Sequence, residues 1–257
     1  GFYPIRGGPD DMVLDSATGL PAILPGPAPA LGNPAGMAYC EIPIVIQDRS
    51  FQSDGSLFYP EHRAYFEGLE PDDFAGDFPF KPDPACDDEP SDVSKIWQPE
   101  FFGNTMVVNG KTWPYQNVEQ RLYRYRFLNG CNSRFLILEF SHPDVRVWQI
   151  GADGGFLPSP LDLSTNASPY TNRILLGPAE RADVIVDFSN VPEGTNVTMR
   201  NYAPDEPFGG GVPGTDFAPA DPDTTGQVMQ FRVQPLTAPD PSTPPFYLAE
   251  ICRFPTN

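Results

Sequence analysis

Histidine is nearly missing from this chain. The 257 residues include only two, His62 and His142. Neither belongs to an HxH pair, and none of the four cysteines is followed closely by His and then Met. A copper or zinc centre needs several imidazole or thiolate ligands converging on one point, so this inventory argues against a metal site held by the chain alone. His62 lies in "YPEHRAY", read as a loop, and His142 in "FSHPDV", read as a turn before Pro143. Basic residues are also scarce. Sixteen Lys and Arg stand against 34 Asp and Glu, a formal net charge of -18, which excludes electrostatic capture of nucleic acid or an anionic membrane. No run of about 18 apolar residues is available to span a bilayer, and Gly1 to Pro29 lacks the basic start and apolar centre of a signal peptide; the chain is expected to be soluble.

Other absences narrow the chemistry. "IGADGGFLP" (Ile150 to Pro158) lacks the GxGxxG spacing of a dinucleotide site and reads as a turn. No GxSxG elbow is present, and histidines in turns give no support to a Ser-His-Asp triad. "GGPDD" (Gly7 to Asp11) has acidic groups but no DxDxDG loop, so solvated charge is the reading there. The predicted site residues are therefore none: no catalytic, cofactor-binding or metal-ligating residue is assigned. Cys40, Cys86, Cys131 and Cys252 are too widely spaced for a CxxC knuckle; four cysteines pair in three ways, and two disulfides in an exported protein are expected. Asn196-Val197-Thr198 is a glycosylation sequon that arises often by chance and decides nothing.

What the chain does have is Pro, Gly and short β-type runs. With 33 Pro and 23 Gly, much of the backbone must be loop or edge, and no helical periodicity is visible. "EIPIVIQD" (Glu41 to Asp48) is nearly all apolar through its centre, as in a strand covered on both faces. "TMVVNGKTWP" places Asn109-Gly110 between extended flanks, predicting a tight hairpin. In "RLYRYRFLN", Tyr123, Tyr125 and Phe127 fall on one face and Arg124 and Arg126 on the other, so one face is core and the other is wet or paired. "RFLILEF", "VRVWQIG", "ADVIVDF", "VTMRNYA" and "QVMQFRV" continue the series. Many short strands with irregular connections predict an antiparallel sandwich or barrel with Greek-key crossings. Three long loops interrupt it: Pro21 to Pro34 with five prolines, Glu67 to Asp92 with ten acidic residues of 26, and Asp205 to Asp223. The acidic loop reads as a solvated excursion pinned by Cys86.

Five stretches together carry a family likeness: "IPIVIQDRSFQSDGSLFYP" (Ile42 to Pro60), "NTMVVNGKTWPYQNVEQRLYRYRFLNGCNSR" (Asn104 to Arg134), "QIGADGGFLPSP" (Gln149 to Pro160), "LLGPAERADVIVDFS" (Leu175 to Ser189) and "VMQFRV" (Val228 to Val233). In order and over about two hundred residues, they resemble the middle, second domain of multicopper oxidases of the spore-coat laccase, bilirubin oxidase and phenoxazinone synthase branch. The resemblance implies an all-β, cupredoxin-like Greek-key sandwich or barrel with long Pro/Gly-rich and acidic loops. It implies three such domains in the full-length parent, with copper held by the first and third, and a middle domain that spaces them and helps wall the substrate pocket. The parent would oxidise phenolic or bilirubin-type (tetrapyrrole) donors and reduce O₂ to water, and its location would be extracytoplasmic or secreted.

On this reading, residues 1–8 resemble the last strand of a preceding cupredoxin domain, 9–38 form a Pro-rich linker, 39–235 form the copper-free domain, and 236–257 form a Pro-rich connector toward a third domain. No copper ligand transfers to a position here, so the isolated chain is expected to be inactive. Its partners are the flanking cupredoxin domains of the same polypeptide. The alternatives are a copper-free cupredoxin scaffold that binds protein partners and an independent metal-binding module using Cys and His62 or His142. The expected core is Ile44, Ile46, Val107, Tyr125, Phe127, Ile137, Trp148, Ile150, Val184, Val186 and Phe231. Apolar docking patches are expected near the first strand and around "GPAERAD", with an Arg181–Asp183 ion pair there.

Overall fold

A computed structural model of the chain describes residues 13–60, 100–165 and 170–249. His62, Cys86, Cys252, the "GGPDD" segment, the acidic loop from Glu67 to Asp92 and the expected leading strand at 1–8 lie outside the described residues. Fifteen strands are present and no α-helix occurs among the described residues.

The strands form two packed sheets. The larger contains β2 (Glu41–Phe51), β3 (Leu57–Phe58), β4 (Thr105–Val108), β5 (Lys111–Thr112), β7 (Leu122–Asn129), β9 (Arg146–Ala152), β10 (Gly155–Asp162) and β12 (Arg181–Asp187). Its order is β10-β9-β12-β7-β2-β4-β5, with β3 paired to β2. The smaller sheet runs, in spatial order, through β11 (Arg173–Leu176), β8 (Leu136–Phe140), β13 (Asn196–Asn201), β14 (Gln227–Gln234) and β6 (Tyr115–Glu119). A third, two-stranded ribbon pairs β1 (Leu14–Asp15) with β15 (Leu248–Ala249).

The antiparallel expectation needs a correction, because β2 pairs with β7 and β6 with β14 in parallel. The cause is sheet switching. Between Glu119 and Leu122 the chain passes from an edge of the small sheet to the middle of the large one, so β7 arrives beside β2 by a crossover rather than a hairpin.

Local signals behave as the sequence predicts. Asn109 (φ 49°) and Gly110 (φ 81°) close the β4–β5 hairpin, two successive positive-φ residues as a type I′ turn demands. Asn109 is also held from the side: its Oδ1 accepts from the Val45 N–H at 2.8 Å, and its Nδ2 donates to the Pro43 carbonyl at 2.9 Å.

Along β7 the period of two directs Tyr123, Tyr125 and Phe127 between the sheets, where Tyr125, Phe140 and Phe188 gather around Phe231 at ring distances of 5.6, 5.4 and 5.5 Å. Each such ring removed from water contributes about 1.5–3 kcal/mol. Burial pushes the Tyr123 phenol up to about 12, while its oxygen accepts the Glu119 N–H at 2.8 Å. All eleven expected core residues are buried. Seven of them, Ile44, Ile46, Tyr125, Phe127, Val184, Val186 and Phe231, belong to this inter-sheet core, whereas Ile150 packs on the other side of the large sheet.

That other side is covered by residues 13–24 and by Leu248. Val13, Ala22, Leu24 and Leu248 lie over Leu122, Ile150, Ile185 and Phe156 in a second, smaller apolar cluster. The tail after Pro235 is therefore docked as far as Ala249. Asp240 accepts the Leu122 N–H at 2.9 Å and the Arg121 guanidinium at 3.2 Å, and Thr243 exchanges hydrogen bonds with the Ile23 backbone at 3.0 and 2.8 Å.

Candidate functional site

Metal chemistry would need donors that converge, and the described donors stay apart. His142 sits on the β8–β9 turn, where its Nδ1 accepts the Asp144 N–H at 3.3 Å. Cys40 and Cys131 are both free thiols, buried in the inter-sheet core. This overturns the two-disulfide expectation: with both unpaired, at most one bridge remains for the four cysteines. Burial raises both thiols above their ordinary range, and it does so strongly for Cys131 despite the nearby Arg134. Among the described residues no group of three or more His, Cys, Asp or Glu is placed to hold a metal. A copper ion fits none of these donors, because the thiols lie among apolar side chains and the described imidazole lies on a turn.

The charged groups are organised for structure instead. Arg124 and Arg126, on the outer face of β7, meet Glu41 of β2 and Asp183 of β12 in a closed quartet. Arg124 Nε and Nη2 reach the two Asp183 oxygens at 2.8 and 2.5 Å, and Arg126 Nε reaches Glu41 at 2.7 Å. Phe156 stacks on Arg124 at 5.3 Å. The "wet or paired" face of β7 is thus paired. Asp183 serves this quartet and not Arg181, whose Nε turns to Asp153 at 3.1 Å; the expected Arg181–Asp183 pair is absent because the register puts Arg126 directly opposite Asp183. Nor is "GPAERAD" an apolar patch, since Ala179 and Glu180 are its exposed residues.

A second knot centres on Arg134, which is 1 % exposed. Its Nε donates to Asp48 at 3.1 Å, Nη2 to the Gly103 carbonyl at 2.9 Å, and Nη1 to the Pro204 carbonyl at 3.2 Å and to the Asp205 carboxylate. Gly103 donates its own N–H to Asp48 at 2.8 Å, and a Cβ there would lie 2.5 Å from the Arg49 nitrogen, so only glycine admits this approach. Asp205 also accepts from Thr225 and the Asp221 N–H. Three loops distant in sequence are thereby fixed to β2. Sequence reasoning missed this knot because Arg134 and its carboxylate partners Asp48 and Asp205 lie 86 and 71 residues apart, and only a lone Arg next to an apolar run hinted at it.

The arrangement is that of a β-sandwich whose fold is held by an aromatic core and internal arginine–carboxylate ties. Comparison with solved structures gives the class: the fold matches the multicopper oxidase McoA of the hyperthermophile Aquifex aeolicus with a TM-score of 0.53 and 28% identity, over 85% of this chain and 36% of that one, a cupredoxin-fold enzyme. No protein-family model matches the chain. Among individual sequences, it is 39% identical to a laccase of Bacillus stratosphericus over 193 residues (75% of this chain, 30% of that protein). It is 38% identical to the laccase of Bacillus subtilis strain 168 over 210 residues (81% and 33%), and 33% identical to multicopper oxidase LPR1 of Arabidopsis thaliana over 203 residues (79% and 28%). The chain is homologous to a part of laccases and multicopper oxidases. It spans about a third of the length of the relatives it matches.

Proposed function

We propose that this chain is the middle, copper-free cupredoxin domain of a laccase-like multicopper oxidase. Its bounds would be 39–235, with 1–8, 9–38 and 236–257 as strand, linker and connector toward the flanking domains. The observation that carries the reading is the pairing of homology with donor chemistry. A third of a copper oxidase is matched closely, yet the sequence has two histidines and its described thiols are locked in an apolar core. The parent would oxidise phenolic or bilirubin-type donors outside the cytoplasm and pass the electrons to O₂. This domain would hold the copper-bearing domains apart and wall the donor pocket, and it would be inactive alone.

The test compares the 257-residue chain with the longer gene product, both loaded with Cu²⁺ and dialysed, for bound copper by mass spectrometry and for O₂ uptake with a phenolic donor. Tightly bound copper, blue thiolate absorption and turnover are expected only in the longer product. Stoichiometric copper with a blue band in the short chain would overturn the reading. So would a longer product with neither copper nor turnover, which would favour a scaffold role.

A further inference from the structure

The segment that covers the outer face of the large sheet has a second side that nothing in the fold explains. Its inner side is accounted for: Val13, Ala22, Leu24 and Leu248 fill the small cluster over Ile150 and Ile185. On its outer side stand Leu20 (64 % exposed), Ile23 (54 %), Phe246 (65 %) and Tyr247 (40 %). These four form one patch, because backbone ties hold their segments together. Ser16 N–H donates to the Tyr247 carbonyl at 2.7 Å, Asp15 N–H to the Leu20 carbonyl at 2.9 Å, and Thr243 clasps Ile23 on both its N–H and its carbonyl. The Phe246 and Tyr247 rings pack at 4.3 Å.

Charge is withheld from the same surface. Residues 16–40 contain no Asp, Glu, Lys, Arg or His, and neither do 241–249, in a chain with a net charge of -18. Loss of charge together with exposed aromatic and aliphatic groups is the composition of an interface core, not of a solvated loop.

We infer that this charge-free strap, centred on Leu20, Ile23, Phe246 and Tyr247, is the docking face for an adjoining domain of the same polypeptide. The inference rests on the middle-domain reading and adds to it where contact is made. The occupant is argued from two facts. About two thirds of the relatives' length lies outside the matched segment, and on the middle-domain reading that length supplies the neighbour. And β1 pairs with β15, Leu14 opposite Ala249, so the two ends of the described region lie side by side on this face. Both connections would lead to the same side of the sandwich, and a neighbour tethered there meets the strap at high effective concentration. Its matching surface would be apolar and poor in carboxylates, since an acidic patch would have to be desolvated against the strap without a cation to receive it.

Hydroxyl-radical footprinting of the longer gene product, with the 257-residue chain as reference, tests this by mass spectrometry of single residues. Oxidation of Phe246 and Tyr247 is expected to fall at least fivefold in the longer product, while Trp113 and Tyr115, exposed elsewhere, stay within twofold. Unchanged oxidation at Phe246 and Tyr247 overturns the assignment. The variant Leu20→Ser/Phe246→Ser in the longer product should restore labelling of Tyr247, and no restoration would also count against it. Concentration-dependent dimerisation of the short chain that protects the strap would assign the face to a second copy and refute the proposal. Copper content of the longer product is read on the same sample, so that a failed middle-domain reading is told apart from a misplaced face.

Discussion

Replacing Arg134 with methionine keeps most of the side-chain stem and removes the guanidinium, which isolates the charge term of the knot. Asp48, fully buried, would lose the cation beside it; one of its oxygens, Oδ1, already lacks a hydrogen-bond partner among the described residues. Stripping one partner from a buried pair costs about 3–5 kcal/mol. The Gly103 and Pro204 carbonyls would be left unpaired as well, each worth about 1 kcal/mol at the low end. Asp205 adds little, because its side chain is 41 % exposed and can be rehydrated. The expected loss is therefore about 4 kcal/mol or more, a large fraction of a typical total stability of about 5–15 kcal/mol. Urea unfolding of the 257-residue chain, followed by tryptophan fluorescence and circular dichroism, measures it. The double variant Asp48→Asn/Arg134→Met removes the stranded charge and should recover about 2 kcal/mol of the loss. A single variant that costs less than about 1 kcal/mol, or a double variant no better than the single, refutes the argument. An insoluble single variant beside a folded double variant is the expected result in its strongest form.

Asn109→Ala should destabilise by about 2 kcal/mol in the same assay, because alanine resists φ 49° and two side-chain bonds to β2 are lost; Asn109→Gly, which frees φ, should lose less. Native Cys40 and Cys131 should react with iodoacetamide at pH 8 roughly 100-fold more slowly than in urea, since burial raises both thiols and the thiolate is the nucleophile; fast native labelling, or an oxidised pair in the peptide map, would contradict the structure. The tail should loosen in acid. Burial alone would raise Asp240, but hydrogen bonds from Ser242 and Leu122 and the Arg121 charge outweigh it and hold the carboxyl below its ordinary range. A depressed carboxyl stabilises the docked tail above its unfolded pKa of about 3.9, and this stabilisation is lost as pH falls through the lower folded value. Amide exchange at residues 241–249 should accelerate across that window, and Asp240→Asn should abolish the pH dependence.

The sequence made the local features legible and hid those set by distance. Asn109-Gly110 announces its hairpin because the turn is decided by two residues, and β7 shows its faces because side-chain alternation is a property of one strand. The parallel pairing of β2 with β7 is not of that kind: it depends on a sheet switch near Arg121 that no short-range pattern marks. The Arg181–Asp183 pair failed for the same reason, since register alone decides which arginine faces Asp183. The path of the tail is not legible in composition. Pro-rich sequence signals extended chain, and extended chain docks as readily as it links once an apolar groove and an Asp240 clasp receive it.

Seven arginines of the described residues, at 121, 124, 126, 134, 146, 173 and 181, form ion pairs within the fold. Buried pairs gain little net stability, because desolvation offsets attraction, but breaking one is costly. Their effect is to fix which loop sits where. Arg134 sets the loops at Gly103 and Asp205, the Arg124 quartet joins β2, β7 and β12 beneath Phe156, and Arg121 sets the tail. The energy of the sandwich comes from its aromatic core, and the arginines give it one arrangement. Five of them, at 121, 124, 126, 134 and 173, turn inward, in a chain whose carboxylates outnumber its cations by 34 to 16. Against that excess of carboxylates a strap of 25 residues without a single charge is a surface built to be covered.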